Sequence, residues 1–469
     1  VPVVTLRSDR PERLHALDAL IGVWLTLIYV VYLTHADMWI AATAWLGWFE
    51  QPTRIFLMGA LPLAAIWTAC RLADRAGRIP RPGPLDMLEA NRPVLLAFAC
   101  LCAISLLPGA VLPGAVVDDG GTQLMVLPYA FVVFTFGLMF GGAVAVRRHW
   151  RRILLMTWLV TVTSVLVELF RPRTFSGLLP AVNADWATDA DRPAGLMGDA
   201  NTAAFIMLGL TLLILRYDRL RWPEVGLLAM TLLAVLATQS RGGLLLTAMV
   251  VAGYLYHCRA VIRGPALTAA LLGGLAAVAG VVLVVLPLLA NLAAFSDWEG
   301  QRRLEMLTFQ GAFVERDESR LGLASSYLAA IEEAVWLGHG TGFMRTRPIG
   351  SHNMYLRQWV DNGVPGLLAY LALLGAGTLL FWQRRFPGGL MLILLATVQG
   401  LFSHTLLESR GLLLLYALAL AVSVVDAGQR APEAAATGAV GLLRPEPGLR
   451  SSTTSGATRR QSSPRLEAR

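Results

Sequence analysis

The sequence predicts an all-α polytopic membrane protein of about twelve transmembrane helices, with one helical insertion outside the bilayer. Three observations carry this. Hydrophobic residues make up 56% of the 469 and charged residues only 15%, with a mean hydropathy of +0.59. Apolar runs recur along the chain, most of them near the ~20 residues a helix needs to cross a bilayer. Lipid satisfies no free backbone groups, so such runs must be helical. Finally, the arginines favour every second connection between runs.

The runs begin near Leu17, Ile55, Val94, Leu124, Ile153, Thr202, Glu224, Gly243, Leu267, Gly366, Gly389 and Gly411. Arg7, Arg10 and Arg13 precede the first. Arg71, Arg75, Arg78, Arg81 and Arg92 fill the second connection, and Arg147, Arg148, Arg151 and Arg152 the fourth. Later even connections hold Arg216, Arg219 and Arg221, then Arg259 and Arg263, then Arg384 and Arg385. The short odd connections carry Asp37 and Glu50, or Asp118 and Asp119. Positive residues stay on the cytoplasmic side, so both termini are expected there. By parity, 171–201, Gln239–Arg241, 290–363 and Ser403–Arg410 lie outside.

The expected organisation is a cytoplasmic N-terminus (1–16), spans one to nine (17–289), an extracytoplasmic helical loop (290–363), spans ten to twelve (364–426) and a disordered cytoplasmic tail (427–469). The tail is rich in Ala, Gly, Ser, Thr, Pro and Arg and cannot bury a core. The first run has a basic flank and no small-residue cleavage site, which reads as an uncleaved anchor.

Every basic residue is arginine, and the net charge is +8. Cytoplasmic loops facing anionic headgroups account for it, so no nucleic-acid partner is required. Cys70, Cys100, Cys102 and Cys258 lack metal-ligand spacing and read as packing residues. Asp189-Ala190-Asp191 has the form of a divalent-metal motif, but two carboxylates in a polar loop are common, and no metal site is assigned.

Within 290–363, helical spacing runs from about Gln301 to Val314 and from about Arg320 to Trp336. Gly338, Gly340 and Gly342 then form a turn. Ser351 reads as the N-cap of a short helix reaching about Asn362, with Gly363, Pro365 and Gly366 before the next span.

His352 is the foremost catalytic candidate. In the first turn of that helix, the positive end of the dipole disfavours the imidazolium and leaves a neutral base. A hydrogen-bonded structural histidine fits the same position. His339 and His404 compete from the same side. Arg241, between Ser240 and Gly242, places a planar fork suited to phosphate at the membrane surface; an interfacial snorkelling arginine fits equally. Arg192 is a second phosphate candidate, or a partner of Asp189 or Asp191. Asp199 or Asn201 can cap the following span. Arg302, Arg303 and Arg320 lie in the insertion on the same side. Glu408 and Arg410 flank the last outer turn and can pair with each other, and Glu168 can pair with Arg171 or Arg173.

Arg192-x-x-Gly195-x-x-x-Asp199-x-Asn201, Ser240-Arg241-Gly242, Arg320 before Gly338-x-Gly340-x-Gly342, and Ser351-His352-Asn353 before Asn362-Gly363 and Gly366 stand in an order that resembles the O-antigen ligase and polymerase superfamily of bacterial envelope glycosyltransferases. The resemblance covers about residues 190–425. It departs at Ala200, where members often carry proline. It implies a twelve-span inner-membrane bundle with a large periplasmic loop, and metal-independent, cofactor-free glycan transfer. His352 would activate the acceptor hydroxyl, and Arg192, Arg241 and Arg320 would bind pyrophosphate. The donor would be an undecaprenyl-pyrophosphate-linked glycan and the acceptor lipid A–core oligosaccharide. The alternatives are an O-antigen polymerase, a protein O-oligosaccharyltransferase or, from another class, a secondary transporter. Ionisable residues at outer ends rather than the midplane weigh against transport.

Overall fold

The computed structural model describes residues 23, 26–36, 83–111, 125–142, 144–171, 174–175, 192–217, 221–258, 273, 325–343, 353–403 and 406–442. Their regular structure is helical throughout. In chain order the helices are α1 (26–33), α2 (Pro84–Ala90), α3 (Arg92–Val111), α4 (Val126–Gly141), α5 (Val144–Phe170), α6 (Ala200–Ile214), α7 (Trp222–Ala237), α8 (Arg241–Cys258), α9 (325–333), α10 (Met354–Gln383), α11 (Pro387–Gln399) and α12 (Arg410–Leu442).

Ten of the twelve predicted runs thus coincide with helices; those near Ile55 and Leu267 fall outside the described residues. Lengths differ from the expectation. Among the described residues, three helices are long and apolar enough to cross a bilayer: Trp150–Phe170, Met354–Gln383 and Arg410–Gly428. A fourth possibility is the pair Pro84–Ala90 and Arg92–Leu107, bent by 79°. The helical parts of α4, α6, α7, α8 and α11 have 10–17 residues. At Asp199 and Ser240 capping side chains set where α6 and α8 begin, so apolar run length overstated helix length.

α6 is the hub. Twelve of its fifteen residues are buried, and it packs against α5, α7, α8 and α11. A helix apolar on every side needs neighbours on every side. Hydroxyls stitch its middle: Thr211 Oγ1 lies 2.8 Å from Thr231 Oγ1, which accepts from Trp158 Nε1 at 2.9 Å. Small residues let other helices close. A side chain at Gly137 would strike Leu414 and Ala417, and one at Gly141 would strike Ala421. Tyr29 in α1 donates to Gly137 O.

One end of the bundle is closed by Arg384, between α10 and α11. It donates to Asn91 Oδ1 (2.8 Å), Ser423 Oγ (3.0 Å) and Leu420 O (3.4 Å), and to Ala90 O. Burial pulls its guanidinium down to about 10, with Tyr416 acting in the opposite sense. It stays charged at neutral pH, so these acceptors offset its desolvation. At the same end Tyr254 donates to the buried Glu224 at 2.7 Å, and Tyr217 stacks edge-on against Tyr254.

α10 is broken at Gly363 (φ 66, ψ −166), so the short helix expected before the last spans joins its span directly. Pro365 has no N–H for the Asp361 carbonyl. Gly340 N–H supplies one at 2.9 Å, His339 N–H bonds Val360 O at 2.8 Å, and Val364 N–H bonds Val335 O at 3.0 Å. This close approach requires two glycines. Gly338 and Gly363 both have left-handed φ, and a Cβ on Gly338 would stand 2.5 Å from Asp361 O. The expected glycine turn is therefore the seal of the helix break. α9 ends at Glu333, short of the predicted Trp336. It buries Tyr327, Ala330 and Ile331 against Val360. At the other terminus α12 runs on to Leu442, into the stretch expected to be disordered.

Candidate functional site at one end of the bundle

The polar residues of the odd connections meet at one end, opposite the Arg384 closure. This is the end that the arginine alternation assigns to the outside, and it is termed the outer end.

α6 starts where Asp199, in extended conformation, accepts from Thr202 N–H at 2.6 Å. This is the N-cap bond that the sequence allowed to Asp199 or Asn201. The cap frees the Asn201 side chain. Its Oδ1 accepts from Ser240 Oγ at 2.8 Å and from Arg192 Nη2 at 3.4 Å. Arg192 Nε donates to Thr238 O at 3.3 Å. Ser240 Oγ also accepts from Gly243 N–H at 3.0 Å, capping α8 at its first residue, Arg241. One asparagine thus ties the Arg192 guanidinium to the helix start at Arg241, whose side chain lies outside the described residues. The Arg192 loop is fixed from below by Glu168, which accepts from Ala194 N–H (2.9 Å) and Gly195 N–H (2.6 Å). The expected pairing of Glu168 with Arg171 or Arg173 is not tested, because Arg173 lies outside the described residues.

The same rim holds the start of α10. A Cβ at Gly242 would lie 3.8 Å from Gln399 Oε1 and 3.9 Å from Phe402 Cβ. Met354 N–H donates to Gly400 O at 2.7 Å, and Tyr355 OH to Thr397 O at 2.7 Å. The α8 start, the α11 end and the α10 start are therefore adjacent.

The cap of α10 corrects the reading of His352. Asn353, not Ser351, is the N-cap; it accepts from Tyr355 N–H at 2.9 Å and Leu356 N–H at 3.1 Å. The helix begins at Met354, two residues beyond His352, so the first-turn dipole argument for a neutral imidazole does not apply as stated. Asn at Ncap is as favourable as Ser, and Asn353 stands two positions after Ser351. His352 itself, with Arg303, Arg320, His404, Asp189 and Asp191, lies outside the described residues.

Sequence reasoning missed a buried charge cluster at this rim. Arg357, one turn into α10, pairs with Glu408 at 2.6 Å and with Asp361 at 3.6 Å. Asp361 Oδ2 also accepts from Gly342 N–H at 3.4 Å. Glu408 was expected to pair with Arg410; it reaches across to the helix that follows His352. The signal was the i,i+4 spacing of Arg357 and Asp361 on an otherwise apolar stretch. Beside them Thr341 Oγ1 donates to Asn362 Oδ1 at 2.9 Å, and Asn362 Nδ2 donates to Gln358 Oε1 at 3.0 Å. His339, the competing histidine, is engaged structurally: its Nε2 lies 2.7 Å from Ala330 O, and its ring stacks on Phe343 at 4.2 Å.

Fold and site together define a polytopic helical membrane protein with a polar, cation-bearing site at one end of its bundle. Residues 225–371 match the model of the O-antigen ligase family. That segment spans α7 to the first half of α10, and through it the chain is similar to the O-antigen ligase family. No curated protein matches the chain.

Proposed function

We propose that this chain is an inverting, metal-independent glycosyltransferase that moves O-antigen glycan from undecaprenyl pyrophosphate to lipid A–core oligosaccharide at the periplasmic face of the inner membrane. The observation that carries the proposal is the meeting of Arg192, the capped helix start at Arg241 and the start of α10 beside His352 at one end of the bundle.

The donor arrives already activated on its lipid. His352 takes the proton of the acceptor hydroxyl, whose oxygen attacks the anomeric carbon. The bond from that carbon to the pyrophosphate oxygen breaks, and its electron pair leaves with undecaprenyl pyrophosphate. Pyrophosphate needs no strong acid to depart, but its charge must be neutralised as the bond breaks. Fixed guanidinium groups of Arg192, Arg241 and Arg320 serve this end without reorganisation. One displacement inverts the anomeric centre.

The test is reconstitution of the full chain with purified lipid-linked glycan, lipid A–core and a chelator. Transfer that is lost in His352→Ala supports the reading. Full transfer by that variant refutes the role of His352, and absence of transfer by the unaltered chain refutes the ligase. A gene deletion separates the ligase from its relatives. Loss of a ligase leaves intact polymer on the carrier lipid, loss of a polymerase leaves lipopolysaccharide with single repeat units, and loss of a protein O-oligosaccharyltransferase removes glycan from protein.

A further inference from the structure

The turn that seals the break in α10 carries two apolar side chains turned away from the protein. Trp336 is 72% exposed, and its neighbour Leu337 is also exposed. Neither belongs to the polar rim, and nothing in the transfer chemistry uses them. Burial on α9 faces the other way: Tyr327, Ala330 and Ile331 are buried, whereas Ser325, Ser326, Leu328, Ala329, Glu332 and Glu333 face out. An exposed Trp-Leu pair directly after this mixed outer face calls for a partner.

The position of the turn identifies that partner. Val335 O is bonded to Val364 N–H, and the backbone of Trp336 lies against Gly363. Trp336 therefore stands level with the first residues of the spanning half of α10. Down that half, Pro365, Leu368, Leu371, Leu379 and Trp382 form one exposed stripe at helical spacing. Leucines in such a stripe on a membrane helix face lipid. The stripe ends in Trp382, 70% exposed, at the end where Arg384 sits. Eighteen residues of helix separate Val364 from Trp382, about 27 Å at 1.5 Å per residue. That is close to the ~30 Å hydrocarbon thickness. Tryptophans collect at both edges of that layer, because an amphipathic indole suits the headgroup boundary. Trp382 and Trp336 thus stand at the levels of the two edges along this helix, although Trp336 is contributed by a different segment of chain.

We propose that Trp336 and Leu337 seat in the interfacial layer of the outer-end leaflet and hold α9 and the glycine turn down on the membrane surface. The partner is the phospholipid bilayer itself. The proposal rests on the chain being a membrane protein and is independent of the transfer reaction.

The experiment places the photocrosslinking residue p-benzoyl-phenylalanine at 336 in the full chain. The chain is reconstituted in nanodiscs of phosphatidylethanolamine and phosphatidylglycerol, and adducts are read by mass spectrometry. Leu368 is the lipid-facing control and Glu332 the water-facing one. Position 336 should give phospholipid adducts at a yield comparable to 368 and well above 332. A yield no higher than at 332, or peptide adducts in place of lipid ones, overturns the proposal. A second readout avoids the crosslinker. In nanodiscs of brominated phosphatidylcholine, the fluorescence lost in Trp336→Phe should be strongly quenched relative to unbrominated discs; equal intensity in both also overturns the proposal.

Discussion

Removing Glu408 should unlatch the helix that follows His352. Arg357 Nη2 and Glu408 Oε1 are 2.6 Å apart, an attraction of about 6 kcal/mol at an effective dielectric of ~20. Most of this is offset by the desolvation of the two groups. Truncation exposes the difference. Glu408→Ala leaves a guanidinium that is 7% exposed with Asp361, at 3.6 Å, as its remaining carboxylate in the triad. Breaking a buried pair costs about 3–5 kcal/mol; the surviving Asp361 puts this case near the lower bound. Replacing the whole triad is a different perturbation. Arg357→Met with Glu408→Leu removes both charges of the pair, and Asp361→Asn keeps the acceptor for Gly342 N–H. That triple variant should stay within about 1 kcal/mol of the unaltered chain. The assay is thermal unfolding of detergent-solubilised protein followed by size-exclusion recovery, with both variants beside the unaltered chain. A large fall for Glu408→Ala and near-recovery for the triple variant are expected. Equal melting of Glu408→Ala and the unaltered chain would refute the reasoning, as would a triple variant that falls as far as the single one.

Three further outcomes are expected. Gly338→Ala puts a methyl 2.5 Å from Asp361 O at a φ of +70 and should cost about 2–4 kcal/mol, combining left-handed strain with overpacking; Gly226→Ala, with open space around it, should be neutral or slightly stabilising, and the comparison is read as folded yield after extraction. Arg384→Met strips the Asn91 side chain and the Ala90 carbonyl of a charged donor; a loss of about 2–3 kcal/mol is expected, measured as faster hydrogen exchange in residues 88–95 by mass spectrometry. Asn201→Ala removes the acceptor shared by Arg192 and Ser240, and should reduce transfer in the reconstituted assay by more than tenfold (about 1.4 kcal/mol) at near-normal abundance, while Asn201→Asp, which keeps the acceptor, should retain more of it.

Apolar run length and arginine alternation were enough to locate helices and sort their ends. The sorting is supported from within: Arg192, Asn201, Ser240, Glu408 and the α10 start, all assigned to one side, do share one end. Caps were legible to within two residues: Asp199 was one of two candidates for α6, and the α10 cap fell at Asn353 rather than Ser351. Chain-distant pairs were not legible. Nothing local to Glu408 indicates Arg357, because burial on a partner helix depends on packing that one sequence does not display. The same holds for the bonds of Glu168 to the Ala194 and Gly195 N–H groups, donors that every loop offers.

The break at Gly363 explains why a bundle with a rigid inner end can present a polar site at the other. In an unbroken α10, residues 354–362 would continue the axis of the span for roughly 13 Å beyond it and carry their N-terminus away from the rim. The break turns them back, so that Met354 reaches Gly400 and Arg357 reaches Glu408. Such a turn would strand carbonyls in a poorly solvated place, which is costly. The glycine turn supplies the missing donors because it comes from the segment after α9 rather than from α10 itself. Position of the short helix is therefore set jointly by the insertion and the last two spans. A variant that weakens either side should move the residues before Met354 without disturbing Arg192 and Asn201, which are held by bonds to α5, α6 and the α7–α8 turn. In the transfer assay this separates the two halves of the site. Damage at Gly338 or Glu408 should lower turnover while donor binding persists, and damage at Asn201 should weaken donor binding itself. Loss of donor binding in the Glu408 variant at normal abundance would show that the two clusters are one mechanical unit and that this division is wrong.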